Sequence, residues 1–285
     1  MTLCFAVIGH PIGHTLSPKM HTAAFRALGI DATYEAIEVL PDSLADFVSR
    51  VRSGEFRGAS VTLPHKTHVV PLLDAWDAEV RGLGAVNTLI HEPGALKNTV
   101  RGVNTDTLGI VNALKEHGVS MEDRNVIIIG TGGAAAAAAH AARDADTVEV
   151  LGRRHSREEN KQLQPPARGA LATLHYGDGH GLREAFAAAD VVLQMSSATM
   201  GPDAEAFMKQ LPMNSLRPGV AVLEAVYRPR ETAFLREARA RGCVCVDGVG
   251  MLVHQGAIAL SRWLGRAPVE MPIEAMRDAV LSALT

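Results

Sequence analysis

Cysteine is scarce in this chain: Cys4, Cys243 and Cys245 are the only three in 285 residues. An odd number with no Cys-x-x-Cys spacing argues against a disulfide framework or a cysteine zinc cage. Cys243 and Cys245 lie in a short apolar run and are expected to pack as small hydrophobes. No apolar run is long enough to span a bilayer, so no membrane partner is expected. Neither charge dominates: 28 Lys and Arg stand against 31 Asp and Glu, a net charge of −3. That balance gives no reason to expect nucleic acid or a membrane surface as the partner. His10, His14, His21, His65 and His68 crowd the early part of the chain, yet no carboxylate or cysteine joins them in a ligand pattern. They are expected on loops and at the surface, with no metal. Repeats and low-complexity tails are missing too. The first residues run straight into a strand and do not read as a cleavable signal, so a cytoplasmic protein is expected.

What is present is an α/β pattern, 47% hydrophobic and 21% charged, of a size for one large or two modest domains. Its clearest stretch is Val126 to Gly133. Four β-branched residues, Val126 to Ile129, make a buried strand. Gly130-Thr131-Gly132-Gly133 ends it in a tight turn, and Ala134 to Ala139 are strong helix formers. Strand, glycine turn and helix in that order form the phosphate-binding corner of a Rossmann-type unit. Gly130 permits the turn, Gly132 lets a pyrophosphate approach the backbone, and Ala135 takes the third small position. The pyrophosphate would sit on the free N–H groups at the helix start.

Leu3 to Ile8 reads as a strand closed by Gly9. Ser17 before Pro18 predicts a helix N-cap with proline in the first turn, and Gly29 stops that helix after Leu28. Thr33 to Val39 alternates as a second strand; Pro41-Asp42-Ser43 opens a helix ended by Gly54; Phe56 to Thr62 is a third strand. A helix is predicted over Leu72 to Arg81, stopping at Gly82, then a strand over Ala85 to Ile90. Arg101 to Asp106 reads as a polar loop, and Thr107 to Glu116 as a helix. Beyond the glycine turn, strands are predicted at Thr147 to Leu151, Ala189 to Gln194, Gly219 to Leu223 and Cys243 to Val246. Arg157 to Ala170, polar and carrying Pro165-Pro166, reads as a short helix and a surface loop, Gly248 to Leu264 as a long apolar helix, and Glu270 to Leu284 as an amphipathic one. Elements alternate on both sides of the glycine turn, so the fold class is two α/β domains meeting near Thr105.

An NAD site wants an acid about 20 residues past the glycines, at the end of the next strand. This chain has Gly152-Arg153-Arg154 there, with Arg157 beyond, and Glu149 sits too early, inside the strand. Guanidinium groups suit a 2′-phosphate, which favours NADP. In the first domain, polar residues gather at strand ends: Thr15, Ser17, Ser60, Thr62, Lys66, Asn87, Thr88, Asn104 and Asp106. Ligands of α/β folds bind at the carboxyl ends of strands. These hydroxyls, amides, one lysine and one aspartate suit a small polyhydroxylated molecule.

Taken together, the motifs resemble the shikimate dehydrogenase family nearly end to end. The resemblance is carried by residues 9–18, by Ser60-Val61-Thr62-Leu63-Pro64-His65-Lys66, by Gly84-Ala85-Val86-Asn87-Thr88 and by Asn104-Thr105-Asp106. Gly130 to Gly133, Gly152-Arg153-Arg154, Tyr227 and Asp247 to Gln255 continue it. It implies a substrate domain of residues 1–105 plus 247–285 and an inserted NADP-binding Rossmann domain of residues 106–246. It implies NADP as cofactor and reversible reduction of 3-dehydroshikimate to shikimate, a step of chorismate and aromatic amino acid biosynthesis. Lys66 and Asp106 are then the catalytic pair. Thr15, Ser17, Thr62, Asn87, Asp106, Tyr227 and Gln255 bind the substrate. Gly130, Thr131, Gly132, Gly133, Ala134, Arg153, Arg154, Arg157, Ser196 and Gly248 bind the cofactor. The expected assembly is a monomer or homodimer.

The chain departs from the family pattern at Thr15, usually serine, and Ser60, usually asparagine. Gln194-Met195-Ser196 stands for Asn-Ala-Thr, Glu224 for aspartate, Arg228 for asparagine and Thr107 for a small residue. Two alternatives therefore stay open. One is a paralogue acting on quinate or another cyclitol, with NAD as a possible cofactor. The other is a dinucleotide-binding sensor without turnover, against which the retained Lys66 and Asp106 count.

Overall fold

A computed structural model of the chain describes residues 2–152 and 170–285. Two compact units divide it: Met1–Asp106 with Val253–Ala283, and Thr107–Leu252.

The first unit is built on β1 (Leu3–Gly9), α1 (Ser17–Leu28), β2 (Ala32–Glu38), α2 (Leu44–Ser53), β3 (Gly58–Val61), α3 (His65–His68), β4 (Ala75–Trp76), α4 (Ala78–Leu83), β5 (Thr88–Glu92) and β6 (Thr99–Val103). Its sheet has the order β2-β1-β3-β5-β6-β4. All neighbours pair in parallel except at β5, which runs against β3 and β6. The reversal positions the site. It brings the start of β5 to the same edge as the carboxyl ends of β1, β3 and β6. The core beneath holds Ala6, Ile8, Phe47, Val51, Ala59 and Leu89, all at most 3% exposed.

The second unit follows with α5 (Asp106–Lys115), β7 (Asn125–Ile129), α6 (Gly133–Ala141), β8 (Thr147–Gly152), β9 (Ala170–His175), α7 (Gly179–Ala188), β10 (Val191–Gln194), α8 (Ala204–Met208), β11 (Ala221–Glu224), α9 (Ala233–Ala240) and β12 (Val244–Val246). Its sheet, β12-β11-β10-β7-β8-β9, is parallel throughout. Parallel strands buried on both faces read as continuous apolar runs, which is why Val126 to Ile129 were legible. Cys243 and Cys245 are free thiols packed against this core.

The chain then enters α10 (Gly248–Leu264) and α11 (Ile273–Ser282). The later part of α10 docks on the first sheet. Trp263 donates its indole N–H to the Leu89 carbonyl at 2.8 Å and sits 5.1 Å, ring to ring, from Phe5. Gly58 has to be glycine there, because a Cβ would lie 2.2 Å from the indole nitrogen.

Several expectations are corrected. The stretch read as one helix from Leu72 to Arg81 contains β4, and α4 stops at Gly84 rather than Gly82. Asp74 breaks the helix: it accepts the Val100 N–H at 3.0 Å and pairs with Arg52 and Lys97, which holds Ala75 and Trp76 beside β6. The polar loop from Arg101 is the end of β6, a strand created by five cross-strand pairs with β5. Ser17 is the first helical residue rather than the cap; its N–H donates to Thr15 Oγ1 at 3.3 Å. β9, α7, α8 and α9 were not anticipated. Asp178 caps α7 by accepting the Gly181 N–H at 2.9 Å, and so starts a helix that carries two glycines in its first turn.

Candidate active site

At the shared edge of the first sheet, backbone bonds fix where the functional side chains start. The Val61 N–H reaches the Asn87 carbonyl at 2.7 Å, and the Asn87 N–H reaches the Val103 carbonyl at 3.2 Å. Thr62 follows β3, and its methyl packs on Gly9, where a Cβ would approach it to 2.6 Å. The chain then turns into α3, which carries Lys66. Asn104 accepts the Asp106 N–H at 3.0 Å and so sets the entry into α5.

Three of the expected residues are thereby brought into direct contact. Lys66 Nζ lies 2.5 Å from Asp106 Oδ2, with the side chains 14% and 5% exposed. The Asn87 amide nitrogen donates to Asp106 Oδ1 at 2.9 Å. Both carboxylate oxygens are therefore held, one by a cation and one by an amide. Gln255, on α10, comes within 3.5 Å of the same amide nitrogen through its Oε1. Thr15 and Ser17 form a separate hydroxyl pair, with Thr15 Oγ1 3.2 Å from Ser17 Oγ. Ser60 accepts the Tyr34 hydroxyl at 2.8 Å, and burial pushes the Tyr34 phenol above its ordinary range. Tyr227 belongs to the second unit, half-buried after β11.

Thr88 and Thr105 have roles that the motif reading did not assign. Thr105 donates its N–H to Asn87 Oδ1 at 2.8 Å, and the Thr88 hydroxyl donates to the same atom at 2.9 Å. A backbone N–H can only donate, so the atom facing it is the oxygen and the Asn87 amide has one orientation. The signal was present only as two hydroxyl residues beside the named ones; their pairing depends on the β5–β6 register.

In the second unit, Gly130 has φ 123°, a conformation that L side chains rarely adopt. Gly132 caps α6 with no side-chain bond, and the position of its absent Cβ meets nothing within 4 Å. The first N–H groups of a helix have no intrahelical acceptor. An open glycine cap on a helix of buried alanines is thus fit to receive a pyrophosphate, with Thr131, Gly133 and Ala134 around it. Ser196 sits behind the turn, its N–H and hydroxyl both on Gln194 Oε1 at 2.8 and 2.9 Å. Gly248 opens α10 where a Cβ would meet the Ala225 carbonyl at 2.7 Å. Glu149 lies within β8, and burial raises its carboxyl above the usual range. Arg153, Arg154 and Arg157 lie outside the described residues, as do the short helix and loop expected from Arg157, up to residue 169.

Residues 7–89 match the model of the shikimate dehydrogenase substrate binding domain, and residues 248–281 that of the shikimate 5′-dehydrogenase C-terminal domain. A shikimate dehydrogenase (NADP(+)) of Moorella thermoacetica is 40% identical over 280 residues, 96% of this chain and 92% of the relative. The chain belongs to the shikimate dehydrogenase family. Among family members of solved structure, shikimate 5-dehydrogenase of Thermus thermophilus, in complex with NADP(H) and shikimate, has a TM-score of 0.82. Its identity is 31%, over 99% of this chain and 100% of that one. The Listeria monocytogenes enzyme, in complex with shikimate and NAD, has a TM-score of 0.85 at 31% identity, over 97% and 96% of the two chains.

Two histidines of this family member are not where they were expected. His21 and His65 are fully buried rather than on loops or the surface. His65 lies 2.7 Å from the Val39 carbonyl through Nε2, tying α3 to the end of β2. Among the described residues no group of three or more His, Cys, Asp or Glu is gathered to hold a metal.

Proposed function

We propose that the protein is an NADP-dependent shikimate dehydrogenase, interconverting 3-dehydroshikimate and shikimate. The observation that carries this reading is the buried contact between Lys66 and an Asp106 whose second oxygen is held by Asn87.

Reduction of a ketone leaves an alkoxide that must gain a proton; oxidation of the alcohol must remove one. Bound NADP(H) supplies or accepts the hydride. The chain's own task is therefore proton transfer and orientation. An ammonium group has three donors. Asp106 takes one from Lys66, which leaves two for a substrate oxygen. Lys66 is the acid for the alkoxide and, as the amine, the base for the alcohol. Asp106 keeps it in place and accepts from a neighbouring ring hydroxyl. Thr15, Ser17, Thr62, Asn87, Tyr227 and Gln255 supply hydroxyls and amides for the carboxylate and remaining hydroxyls. The turn Gly130-Thr131-Gly132 and the first residues of α6, Gly133 and Ala134, would hold the pyrophosphate, and Ser196 and Gly248 would contact the same cofactor. Arg153, Arg154 and Arg157 would neutralise a 2′-phosphate.

The cytoplasm, where reduced nicotinamide cofactors are supplied, is the proposed compartment, and a monomer or homodimer the proposed assembly, to be read by light scattering. The activity is tested by following NADPH absorbance with shikimate and quinate, each with NADP and NAD. Highest kcat/KM for shikimate with NADP supports the reading. A preference for quinate replaces it with the cyclitol paralogue, and no turnover with any pair leaves the sensor.

A further inference from the structure

Gln194 ends β10 with its side chain fully buried, beside Ile129, its register partner at the end of β7. A buried amide is costly unless its bonds are made, and it can make four, two through the oxygen and two through the nitrogen. Gln194 makes all four, and every one goes to the loop that follows it. Oε1 accepts the Ser196 N–H at 2.8 Å and the Ser196 hydroxyl at 2.9 Å. Nε2 donates to the Ser196 carbonyl at 3.0 Å and to Thr199 Oγ1 at 3.3 Å. A backbone N–H can only donate and a carbonyl can only accept, so the two bonds to the Ser196 backbone give the amide one orientation. Ser196 Oγ in turn accepts the Ala198 N–H at 3.3 Å. One side chain thus sets the path of residues 195–199.

That loop lies against the glycine turn. Parallel strands β7 and β10 end side by side, and the Met195 N–H donates to the Ile129 carbonyl at 2.8 Å. The Met195 backbone and Ser196 Cβ lie 3.3 Å from where a Cβ of Gly130 would stand. The carboxyl ends of such strands are where α/β folds bind their ligands. A change in the path of the loop is therefore felt first at Gly130. The Ser196 hydroxyl has given its proton to Gln194 Oε1 and has none left for a phosphate oxygen. What the loop offers a phosphate is therefore its fixed shape rather than that proton.

We propose that Gln194 is a positioning residue for the dinucleotide: its amide holds residues 195–199 against the Gly130 turn. This rests on the NADP reading above. Losing the amide frees the loop, while Lys66, Asp106 and Asn87 in the first unit keep the bonds they make to one another.

NADPH titration followed by its fluorescence, with a melting curve for every variant, tests this. The wild type is titrated first, and failure to bind NADPH removes the NADP reading itself. With wild-type binding established, Gln194→Met keeps the length of the side chain and removes all four bonds. It is expected to weaken NADPH about tenfold or more, with KM for shikimate at saturating NADP at its wild-type value. Gln194→Asn, whose amide still reaches the N–H two residues on, is expected to bind NADPH more tightly than Gln194→Met. Folded Gln194→Met protein that binds NADPH as the wild type does overturns the proposal. So does a Gln194→Met protein that loses shikimate and NADPH affinity alike, since the loosening would then be general. A Gln194→Asn protein as weak as Gln194→Met overturns it too, since the amide would then not be what matters.

Discussion

Asn87 meets Asp106 with its amide nitrogen, 2.9 Å from Oδ1, because its oxygen is already occupied by the Thr105 N–H and the Thr88 hydroxyl. Asn87 and Asp106 are 2% and 3% exposed, so water cannot substitute for either partner. Asn87→Ala therefore leaves a carboxylate oxygen and a backbone N–H unpaired in a dry place. Each unmade bond of this kind costs about 1–3 kcal/mol. An unfolding free energy from urea titration lowered by that order, together with a raised KM for shikimate, is the expected result. A variant as stable and as active as the wild type would show that the amide is dispensable.

His21 predicts how the first unit responds to acid. Its ring is fully buried, stacked at 4.3 Å on Tyr34, and neither ring nitrogen has a partner among the described residues. Burial lowers its pKa from 6.5 to about 3. The unfolded chain then takes up a proton between those values while the folded chain does not. Stability present above pH 6.5 is lost as pH falls toward 3, by about 1.4 kcal/mol per unit for one such group. The melting temperature should fall between about pH 6 and 4, and His21→Phe should flatten that fall. Equal slopes for the two proteins would remove His21 as the cause.

Cofactor choice is predicted from the guanidinium groups of Arg153 and Arg154. A charge-assisted bond to a 2′-phosphate contributes about 1.5–3 kcal/mol. Arg153→Ala should weaken NADP about tenfold or more and leave NAD nearly unchanged. Isothermal titration with both cofactors checks this; an equal loss for NADP and NAD would mean that the arginine acts on something they share.

The parts legible in the sequence were those whose cause is local. Val126 to Gly133 announces itself because a strand buried on both faces is apolar throughout and its turn needs glycine at Gly130. Most site residues were legible as polar groups at the ends of β1, β3 and β6, which point to one edge; Asn87 joins them only because β5 runs antiparallel and starts at that edge. What was missed depends on partners distant in sequence. Arg101 and Gly102 have no strand pattern of their own and become β6 only by pairing with Leu89 and Ile90. Ala75 and Trp76 become β4 only beside them. The orientation of Asn87 needs the register that sets Thr88 opposite Val103, which no local rule supplies. His21 looked like a surface histidine because nothing in α1 shows that Tyr34 and Trp263 close over it.

In this reading Lys66, held 2.5 Å from Asp106, moves the proton. A positioned acid–base group contributes about 10²–10⁴-fold, whereas an ion pair with only a structural role is worth under about 1 kcal/mol. The most direct measurement is kcat for shikimate oxidation with saturating NADP, wild type against Lys66→Ala, with NADPH affinity measured alongside. The expected result is a kcat lower by about 10²–10⁴-fold with cofactor affinity intact. A Lys66→Ala protein with near-normal kcat would contradict it and send the proton to another group.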